Sequence, residues 1–217
     1  MKLVFEQIRL GGDRNFGYLL GDREAGVAAA IDPAFSPKDV YKRARAQGLE
    51  IKTVINTHGH TDHTNGNKKI VNLTGARVAA HADAPETPDL VLSDGDSFEV
   101  GSFRLDIMHV PGHSPDHLLL YLEEAALAIT GDLLFVGKIG GTGTVDDSRA
   151  EYESLQRVLE RLPDETTVWP GHDYGSRPSS TIGLERRCNP FLQTADFDAF
   201  LELKKDWASF KAKHGLR

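Results

Sequence analysis

The chain has 217 residues, 40% of them hydrophobic and 26% charged, which excludes a disordered or fibrous protein. Its formal net charge of -7 gives no general attraction for nucleic-acid phosphates or anionic lipid, so we expect neither partner. No apolar run approaches the roughly 18 residues of a membrane span, and the start lacks the features of a signal peptide. We therefore expect a cytoplasmic protein with a single domain over residues 1–217, ending in a short helical tail from about residue 195.

The first third of the chain predicts a strand meander followed by alternating helices and strands. Apolar runs at 3–9, 15–20 and 26–31 are broken by glycine turns, as in hairpin-joined strands. Ser36 as a capping hydroxyl, Pro37 at the first helical position and Gly48 as a stop predict a helix. A strand at 51–57 and a helix at 67–73, closed by Gly75, follow.

The remaining chain predicts more hairpins, a long helix and a helical tail. A first hairpin is predicted by the alternation of apolar and polar residues over 98–110, with a turn at Gly101-Ser102. A second is predicted by the apolar runs 118–122 and 125–130. Ser148 and Glu151 form a capping-box pattern for a helix over 148–162, and 166–169 predicts a strand. Aromatic and apolar residues at helical spacing after Asp196 predict a packing face without a catalytic role. Together these elements favour an α/β sandwich over a doubly wound parallel sheet.

Histidines provide the main indication of function. There are nine, and the densest group is His58-Gly59-His60-Thr61-Asp62-His63, directly after the predicted strand 51–57. In extended backbone, residues two apart point the same way, so His58 and His60 can share one metal ion while the next turn directs Asp62 and His63 elsewhere. Hydrogen-bonded loop residues are the alternative, but four ligand-type residues within six positions favour a metal site.

Three later segments also put a ligand-type residue beside glycine after a predicted strand. They are Pro111-Gly112-His113-Ser114, Thr130-Gly131-Asp132 and Pro170-Gly171-His172-Asp173. A turn histidine is common, so each segment alone is weak evidence. Their recurrence at strand ends predicts that they complete the site.

The order His-x-His-x-Asp-His, Gly-His, Thr-Gly-Asp and Gly-His resembles the metallo-β-lactamase superfamily, over roughly residues 15–190. The resemblance implies a four-layer αββα sandwich with its site between the loop edges of the two sheets. It also implies two divalent ions, with zinc expected, although iron or manganese suits the same ligands. The ligands implied are His58, His60 and His113 for one ion, Asp62, His63 and His172 for the other, and Asp132 as the bridge.

The segments Gly171-His172-Asp173-Tyr174 and Glu185-Arg186-Arg187-Cys188-Asn189-Pro190 resemble the branch that contains glyoxalase II and the persulfide dioxygenases. No cysteine lies near Asp132, where the commoner zinc β-lactamases have one, so antibiotic hydrolysis is disfavoured. Glyoxalase II hydrolyses a glutathione thioester, and this resemblance implies attack by a metal-bridging hydroxide, with Asp62 and Asp132 as catalytic residues.

The second branch implies different chemistry. A persulfide dioxygenase would use His58, His113 and Asp132 to hold a single Fe(II), leaving positions open for oxygen and a sulfur substrate. The segment after Asp132 lacks both the aromatic and basic stretch usual in glyoxalase II and the Arg-Thr-Asp run typical of persulfide dioxygenases. Ligand spacing does not separate the two reactions.

Other residues have narrower expected roles. Lys138, Tyr174 and Arg177 flank the ligand loops and are candidate contacts for a small-molecule thioester or thiol-derived substrate. His117 is expected to support the site without binding metal, and Cys188 to be a structural thiol. His109 is expected to be partly buried and hydrogen-bonded. A non-catalytic module with a structural metal is disfavoured, because such sites are usually rich in cysteine. We predict a metal-dependent thioester hydrolase, with the Fe(II) dioxygenase as the alternative.

Overall fold

The computed structural model describes residues 2–215, so Met1 and the last two positions of the predicted tail lie outside the described residues. Its first half contains strands and short helices in this order: β1 (Leu3–Gly11), β2 (Asn15–Asp22), β3 (Val27–Ile31), α1 (Pro37–Ala46), β4 (Glu50–Ile55), α2 (Thr61–Thr64), α3 (Asn67–Thr74), β5 (Arg77–Ala80) and β6 (Leu90–Val91).

The second half begins with hairpins and ends in helices. Its elements are β7 (Ser97–Val100), β8 (Phe103–His109), β9 (Leu118–Leu122), β10 (Leu127–Gly131), α4 (Val145–Arg161), β11 (Thr167–Pro170), β12 (Ser180–Thr181), α5 (Ile182–Cys188), α6 (Phe197–Lys205) and α7 (Trp207–His214). Short 3-10 turns at Glu123–Ala125 and Pro190–Gln193 lie between them.

The strands form two six-stranded sheets, one in the order β1-β2-β3-β4-β5-β6 and the other in the order β12-β11-β10-β9-β8-β7. The first sheet is antiparallel from β1 to β3 and parallel from β3 to β6. The second is antiparallel except for the parallel pair β10 and β11. Hairpin connections and helical crossovers therefore occur in one chain, as the sequence pattern predicted.

Three apolar clusters arrange these sheets and helices in layers. One cluster contains residues of both sheets, such as Leu20 and Ile31 from the first and Leu105 and Leu120 from the second, so it lies between them. A second cluster packs the outer face of the first sheet against α1 and α3. The third packs the outer face of the second sheet against α4, α5 and α6. The predicted αββα sandwich is confirmed.

Local signals predicted most element boundaries, and the long helix was the main exception. Helix α4 begins at Val145, because Thr144 and Asp147 form the capping box that we predicted for Ser148 and Glu151. Ser148 and Glu151 instead lie on the buried face of this helix. Thr144 and Asp147 have the same three-residue spacing, so the pattern alone did not exclude either start.

Other short elements were not predicted. The ligand-rich run contains the single turn α2, and β6, β12 and α5 had no strong periodic signal. Ser36 precedes α1, but its hydroxyl donates to the Leu10 carbonyl instead of capping the helix. Within residues 2–215, no helix combines the length and apolar character needed to cross a membrane.

Candidate metal centre

The candidate ligands lie where strands of both sheets end at one common edge. His58 follows β4 of the first sheet, while His113, Asp132 and His172 follow β8, β10 and β11 of the second. Strands β10 and β11 are parallel, and β8 runs the same way because it is two antiparallel steps from β10. The carboxyl ends of these strands therefore meet, and the structure brings all seven predicted ligands together.

The first ligand set faces a single point. The Nε2 atom of His58 lies 2.9 Å from Nδ1 of His60, which lies 3.0 Å from Nε2 of His113. The Oδ2 atom of Asp132 is 3.5 Å from Nε2 of His113. His58, His60 and His113 thus form a cluster able to hold one metal ion.

The second set lies on the other side of Asp132. The Nε2 atoms of His63 and His172 are 3.2 Å apart, and Oδ2 of Asp62 lies 3.4 Å from Nε2 of His172. Asp132 also touches this set, with Oδ2 at 3.3 Å from Nε2 of His172 and Oδ1 at 3.5 Å from Nε2 of His63. The Asp132 carboxylate therefore lies between the two sets, as a bridging ligand must.

The outer nitrogens of the rings fix where the lone pairs point. Nδ1 of His113 donates to the Gly141 carbonyl and Nδ1 of His172 to the Asp13 carbonyl, each over 2.8 Å. Nδ1 of His63 donates to the Asp32 carboxylate over 3.1 Å. A neutral imidazole carries one hydrogen, so these contacts leave the Nε2 lone pairs directed at the centre.

Thr57 fixes His58 in the same way. The Thr57 hydroxyl donates to Oδ2 of Asp32 over 2.6 Å, so at 3.1 Å it accepts from Nδ1 of His58. One hydrogen on Nδ1 of His60 can then satisfy only one of its two neighbours, His58 or His113. A cation satisfies all three nitrogens at once.

These distances and groups fit divalent ions. Ligand atoms about 2.0–2.2 Å from one tetrahedral ion lie about 3.3–3.6 Å from one another, close to the separations found here. Oδ1 of Asp132 is buried and has no hydrogen-bond partner within the described residues. Nitrogen and carboxylate donors without cysteine suit zinc, iron and manganese.

Electrostatics divide the histidines into two groups. Burial lowers the pKa of His58 and His113, which favours the neutral ring that binds metal. Burial also opposes protonation of His63 and His172, but the attraction of Asp132 and a second nearby carboxylate outweighs it. These contacts raise the pKa of His63 and bring that of His172 to about 9. Protons thus occupy the nitrogens for which a metal ion would compete.

The two carboxylates of the centre stay ionised. Burial alone would raise the pKa of Asp132, but the nearby rings of His172 and His63, at 3.3 and 3.5 Å, lower it well below its ordinary value. The pKa of Asp62 is lowered mainly by its hydrogen bond with His172. Both carboxylates therefore carry a negative charge toward the point where positive ions would bind.

Asp32 is a supporting residue that the sequence did not reveal. It directly follows β3 with a φ of 46°, in the left-handed region, and its side chain is buried. Its carboxylate accepts from the Thr57 amide over 2.9 Å, besides the Thr57 hydroxyl and His63. The only local signal was an acidic residue, followed by proline, at the end of an apolar strand.

The turn between β1 and β2 supports the second ligand set and was also missed. Nδ2 of Asn15 donates to Oδ2 of Asp62 over 2.9 Å, and the Asp13 carbonyl accepts from His172. The Asp13 carboxylate accepts from the Tyr174 hydroxyl over 2.6 Å. A backbone carbonyl has no side-chain signature, so only the fold reveals this role.

Two glycines are required by close approach to the centre. A Cβ atom on Gly171 would lie 2.2 Å from Oδ1 of Asp132. A Cβ on Gly131, which has a φ of 49°, would lie 2.8 Å from Nε2 of His117. Glycine beside each ligand therefore lets backbone and ligand pack together.

His117 and His109 have the predicted supporting character. Nε2 of His117 accepts from the Asp132 amide over 3.0 Å and so orients the residue that lies between the two sets. His109 is partly buried, and its ring nitrogen donates to the Pro115 carbonyl over 2.7 Å. Neither residue belongs to a metal-ligand cluster of the described chain.

A cavity of about 500 Å³ contains the three candidate substrate residues, Lys138, Tyr174 and Arg177. Tyr174 stacks on the ligand His172 with ring centroids 4.6 Å apart, so the cavity adjoins the centre. Nζ of Lys138 lies 4.4 Å from the centroid of the Tyr174 ring. Cys188, predicted to be structural, is instead exposed and lines the same cavity.

Helix α5 holds the loop that carries Lys138. The buried Glu185 carboxylate accepts from the Gly137 amide over 2.8 Å and from Nδ2 of Asn189 over 3.0 Å. Nδ2 of Asn189 also donates to the Lys138 carbonyl over 3.2 Å. These contacts explain why acidic and amide residues occur together in the Glu185–Pro190 segment.

Comparison with known proteins agrees with this fold and site. Residues 18–88 and 82–172 match the family model described as Metallo-beta-lactamase superfamily. The chain belongs to this superfamily.

Within the superfamily, the chain is similar to proteins with two different activities. It is 39% identical over 179 residues to the hydroxyacylglutathione hydrolase of Polaromonas sp., covering 79% of this chain and 67% of that protein. It is 33% identical over 192 residues to the human mitochondrial persulfide dioxygenase ETHE1, covering 87% and 75%. The crystal structure of ETHE1 from Myxococcus xanthus has a TM-score of 0.87 and 30% identity, covering 94% of this chain and 91% of that one.

Proposed function

We propose that this protein is a metal-dependent thioester hydrolase that acts on an acyl thioester of glutathione and uses two divalent ions, with zinc expected. The observation that carries the proposal is the position of Asp132. Its Oδ2 atom lies 3.5 Å from His113 in one ligand set and 3.3 Å from His172 in the other. A complete second set is what hydroxide generation by two metals requires, whereas a mononuclear oxygenase does not require one.

The candidate ligands also have roles in the proposed hydrolysis. Ions held by the seven ligands would lower the pKa of coordinated water toward about 7 and polarise the thioester carbonyl. The side chain of Asp62 is 38% exposed, and its carboxylate is ionised, so it can accept a hydrogen bond from the attacking water and orient it. Asp132 is only 8% exposed and would serve as the bridging ligand.

Positively charged side chains in and near the cavity favour an anionic substrate. Burial, and then Lys211 and Arg14, lower the pKa of Lys138, so an anion bound there would relieve an unfavourable cluster of positive charge. The Arg14 guanidinium lies 4.7 Å from the Tyr174 ring. A glutathione moiety has two carboxylates, which Lys138 and Arg177 could bind while Tyr174 orients them beside His172.

The similarity to ETHE1 supports one alternative, a persulfide dioxygenase with a single Fe(II) held by His58, His113 and Asp132. In this reaction His63 and His172 would orient the iron ligands without binding the ion. The two proposals differ in their requirement for oxygen.

Parallel assays of hydrolysis and oxygen uptake test the proposal. Under anaerobic conditions, the metal-loaded protein is expected to hydrolyse a 2-hydroxyacyl thioester of glutathione, and chelation should abolish the rate. Lys138→Met should raise KM with little change in kcat, while exposed Lys52→Met serves as a control far from the cavity. If the protein consumed oxygen with glutathione persulfide and cleaved no thioester, the hydrolase proposal would be wrong and the dioxygenase proposal would be supported.

A further inference from the structure

A lysine from the C-terminal helices reaches toward the first ligand set. Nζ of Lys204, on α6, donates to the Gly140 carbonyl over 3.1 Å and forms an ion pair with Glu151 of α4. The lysine side chain is only 11% exposed and the glutamate is completely buried. A long cationic side chain has thus been removed from water to reach one backbone carbonyl and one carboxylate.

The loop that Lys204 holds also fixes His113. The carbonyl of Gly141, the next residue, accepts from Nδ1 of His113 over 2.8 Å. Gly140 is packed so closely that a Cβ there would lie 2.2 Å from the Asp132 carbonyl oxygen and 2.8 Å from Nδ1 of His113. A shift of Gly140 would therefore move the acceptor that orients the His113 ring.

Glu151 also packs against the backbone that precedes His113. Gly112 precedes His113 with a φ of 140°, and a Cβ there would lie 2.4 Å from the Glu151 Cα. The neighbouring Pro111 carbonyl accepts from the Ser154 hydroxyl over 2.8 Å. Helix α4 thus fixes the backbone before His113, while Lys204 fixes the acceptor of its ring.

The ion pair between Lys204 and Glu151 leaves one carboxylate oxygen without a partner. Oε1 of Glu151 is buried with no hydrogen-bond partner in the described chain. Burial raises the pKa of Glu151 to about 7, even though Lys204 opposes that shift. Buried pairs of this kind are often no more stabilising than apolar residues, so stability alone does not explain the pair.

We propose that Lys204 is a positioning residue for the metal centre: by holding Gly140, it keeps the Gly141 carbonyl where it orients His113. Glu151 keeps the lysine head in place. The C-terminal helices, which the sequence assigned only to packing, thereby act on the ligand set. The proposal concerns the site itself and applies to hydrolase and dioxygenase alike.

Three variants separate positioning from simple packing. In Glu151→Gln the amide oxygen can still accept from Lys204 and keep it at Gly140. Glu151→Gln combined with Lys204→Met removes the lysine head without leaving a buried charge. Lys205→Met, an exposed neighbour on α6, is the matched control. The readouts are the melting temperature, the protonated ring nitrogen of His113 by two-bond ¹H–¹⁵N NMR of the metal-free protein, and Zn(II) affinity by chelator competition.

We expect the Nδ1-protonated form of His113 in the unmodified protein, Glu151→Gln and Lys205→Met. The double variant should show a mixture of both forms and bind Zn(II) about tenfold more weakly, as loss of a ligand's supporting contact typically does. A double variant with unchanged tautomer and affinity would overturn the proposal, whatever its melting temperature.

A measurement on the unmodified protein decides the matter if the double variant fails to fold. Coupling between two sites is reciprocal, so Zn(II) bound at His113 should slow chemical labelling of the Lys204 amine. Lys205 should label equally with and without metal, and backbone hydrogen exchange in α1 corrects for global stabilisation. Equal corrected labelling rates for Lys204 in the two states would contradict the proposal.

Discussion

At the residue scale, candidate ligands such as His172 make one contact toward the centre and another away from it. His172 turns Nε2 to the second set while Nδ1 donates to the Asp13 carbonyl. Asp132 is the one ligand whose carboxylate approaches members of both sets. Individual ligands therefore differ in how much of the centre depends on them.

Replacing the bridging carboxylate should cost more metal than replacing a terminal ligand. We expect Asp132→Ala to lose both ions and His172→Ala to lose chiefly the second, because the Asp132 carboxylate lies beside histidines of both sets. Metal content per chain after identical purification measures this difference. Equal losses in the two variants would contradict the bridge.

A supporting residue should affect activity without unfolding the chain. Asn15→Ala removes the donor 2.9 Å from Oδ2 of Asp62 and should lower kcat by about 10-fold or more, as is typical for contacts that orient a metal ligand. Asn15→Asp is the informative companion, because it adds repulsion beside Asp62 and should be worse. Unchanged kcat in both variants would remove Asn15 from the site.

At the element scale, the edges of strands and the ends of helices position the chemistry. Helix α5 contributes no candidate ligand, yet its Glu185 and the following residue, Asn189, hold the loop of Lys138. The sequence did not predict this helix, because it is too short to give a periodic signal. Only the resemblance of the Glu185–Pro190 segment to a known branch drew attention to it. Similarly, the sequence predicted that α4 starts at Ser148, whereas Thr144 caps the helix and Ser148 lies on its buried face.

Loosening the Lys138 loop should change substrate binding more than catalysis. Asn189→Ala removes the donor to the Lys138 carbonyl, so KM for an anionic thioester should rise severalfold while kcat changes little. The exposed Arg187 of α5, changed to alanine, is the control. A lower kcat with unchanged KM would indicate that the loop serves the metal centre instead.

A carboxylate at the end of β2 links the two sheets and should make stability depend on pH. Oδ2 of Asp22 accepts from the Ser102 hydroxyl and amide at the β7–β8 turn, and these bonds lower its pKa from 3.8 to about 2. Because the folded pKa is depressed, this stabilisation is present above pH 3.8 and is lost as pH falls toward 2.

The matching variant is Asp22→Asn. It should melt at a lower temperature than the parent at pH 7, and the difference should shrink as the pH is lowered through that window. Thermal melts between pH 7 and pH 2 measure the effect. A constant difference across the range would show that the charge of Asp22 is not what links the sheets.

At the scale of the whole molecule, ligands distant in sequence meet because two sheets end at one edge. The sequence predicted the seven candidate ligands, since ligand-type residues next to glycine at strand ends are recognisable locally and their order resembles that of the superfamily. It could not predict Asp32, which acts on a histidine 31 residues away, or the Asp13 carbonyl, which acts on His172 over 159 residues. Such contacts depend on the packed fold, and a backbone acceptor carries no residue-type signal.

The central claim is a dinuclear centre bridged by Asp132, and elemental analysis of protein purified without added metal tests it most directly. We predict two divalent ions per chain, because two clusters of ligand-type residues flank the Asp132 carboxylate. A single iron per chain, retained after His172→Ala, would contradict this account and support oxygen chemistry at a mononuclear site.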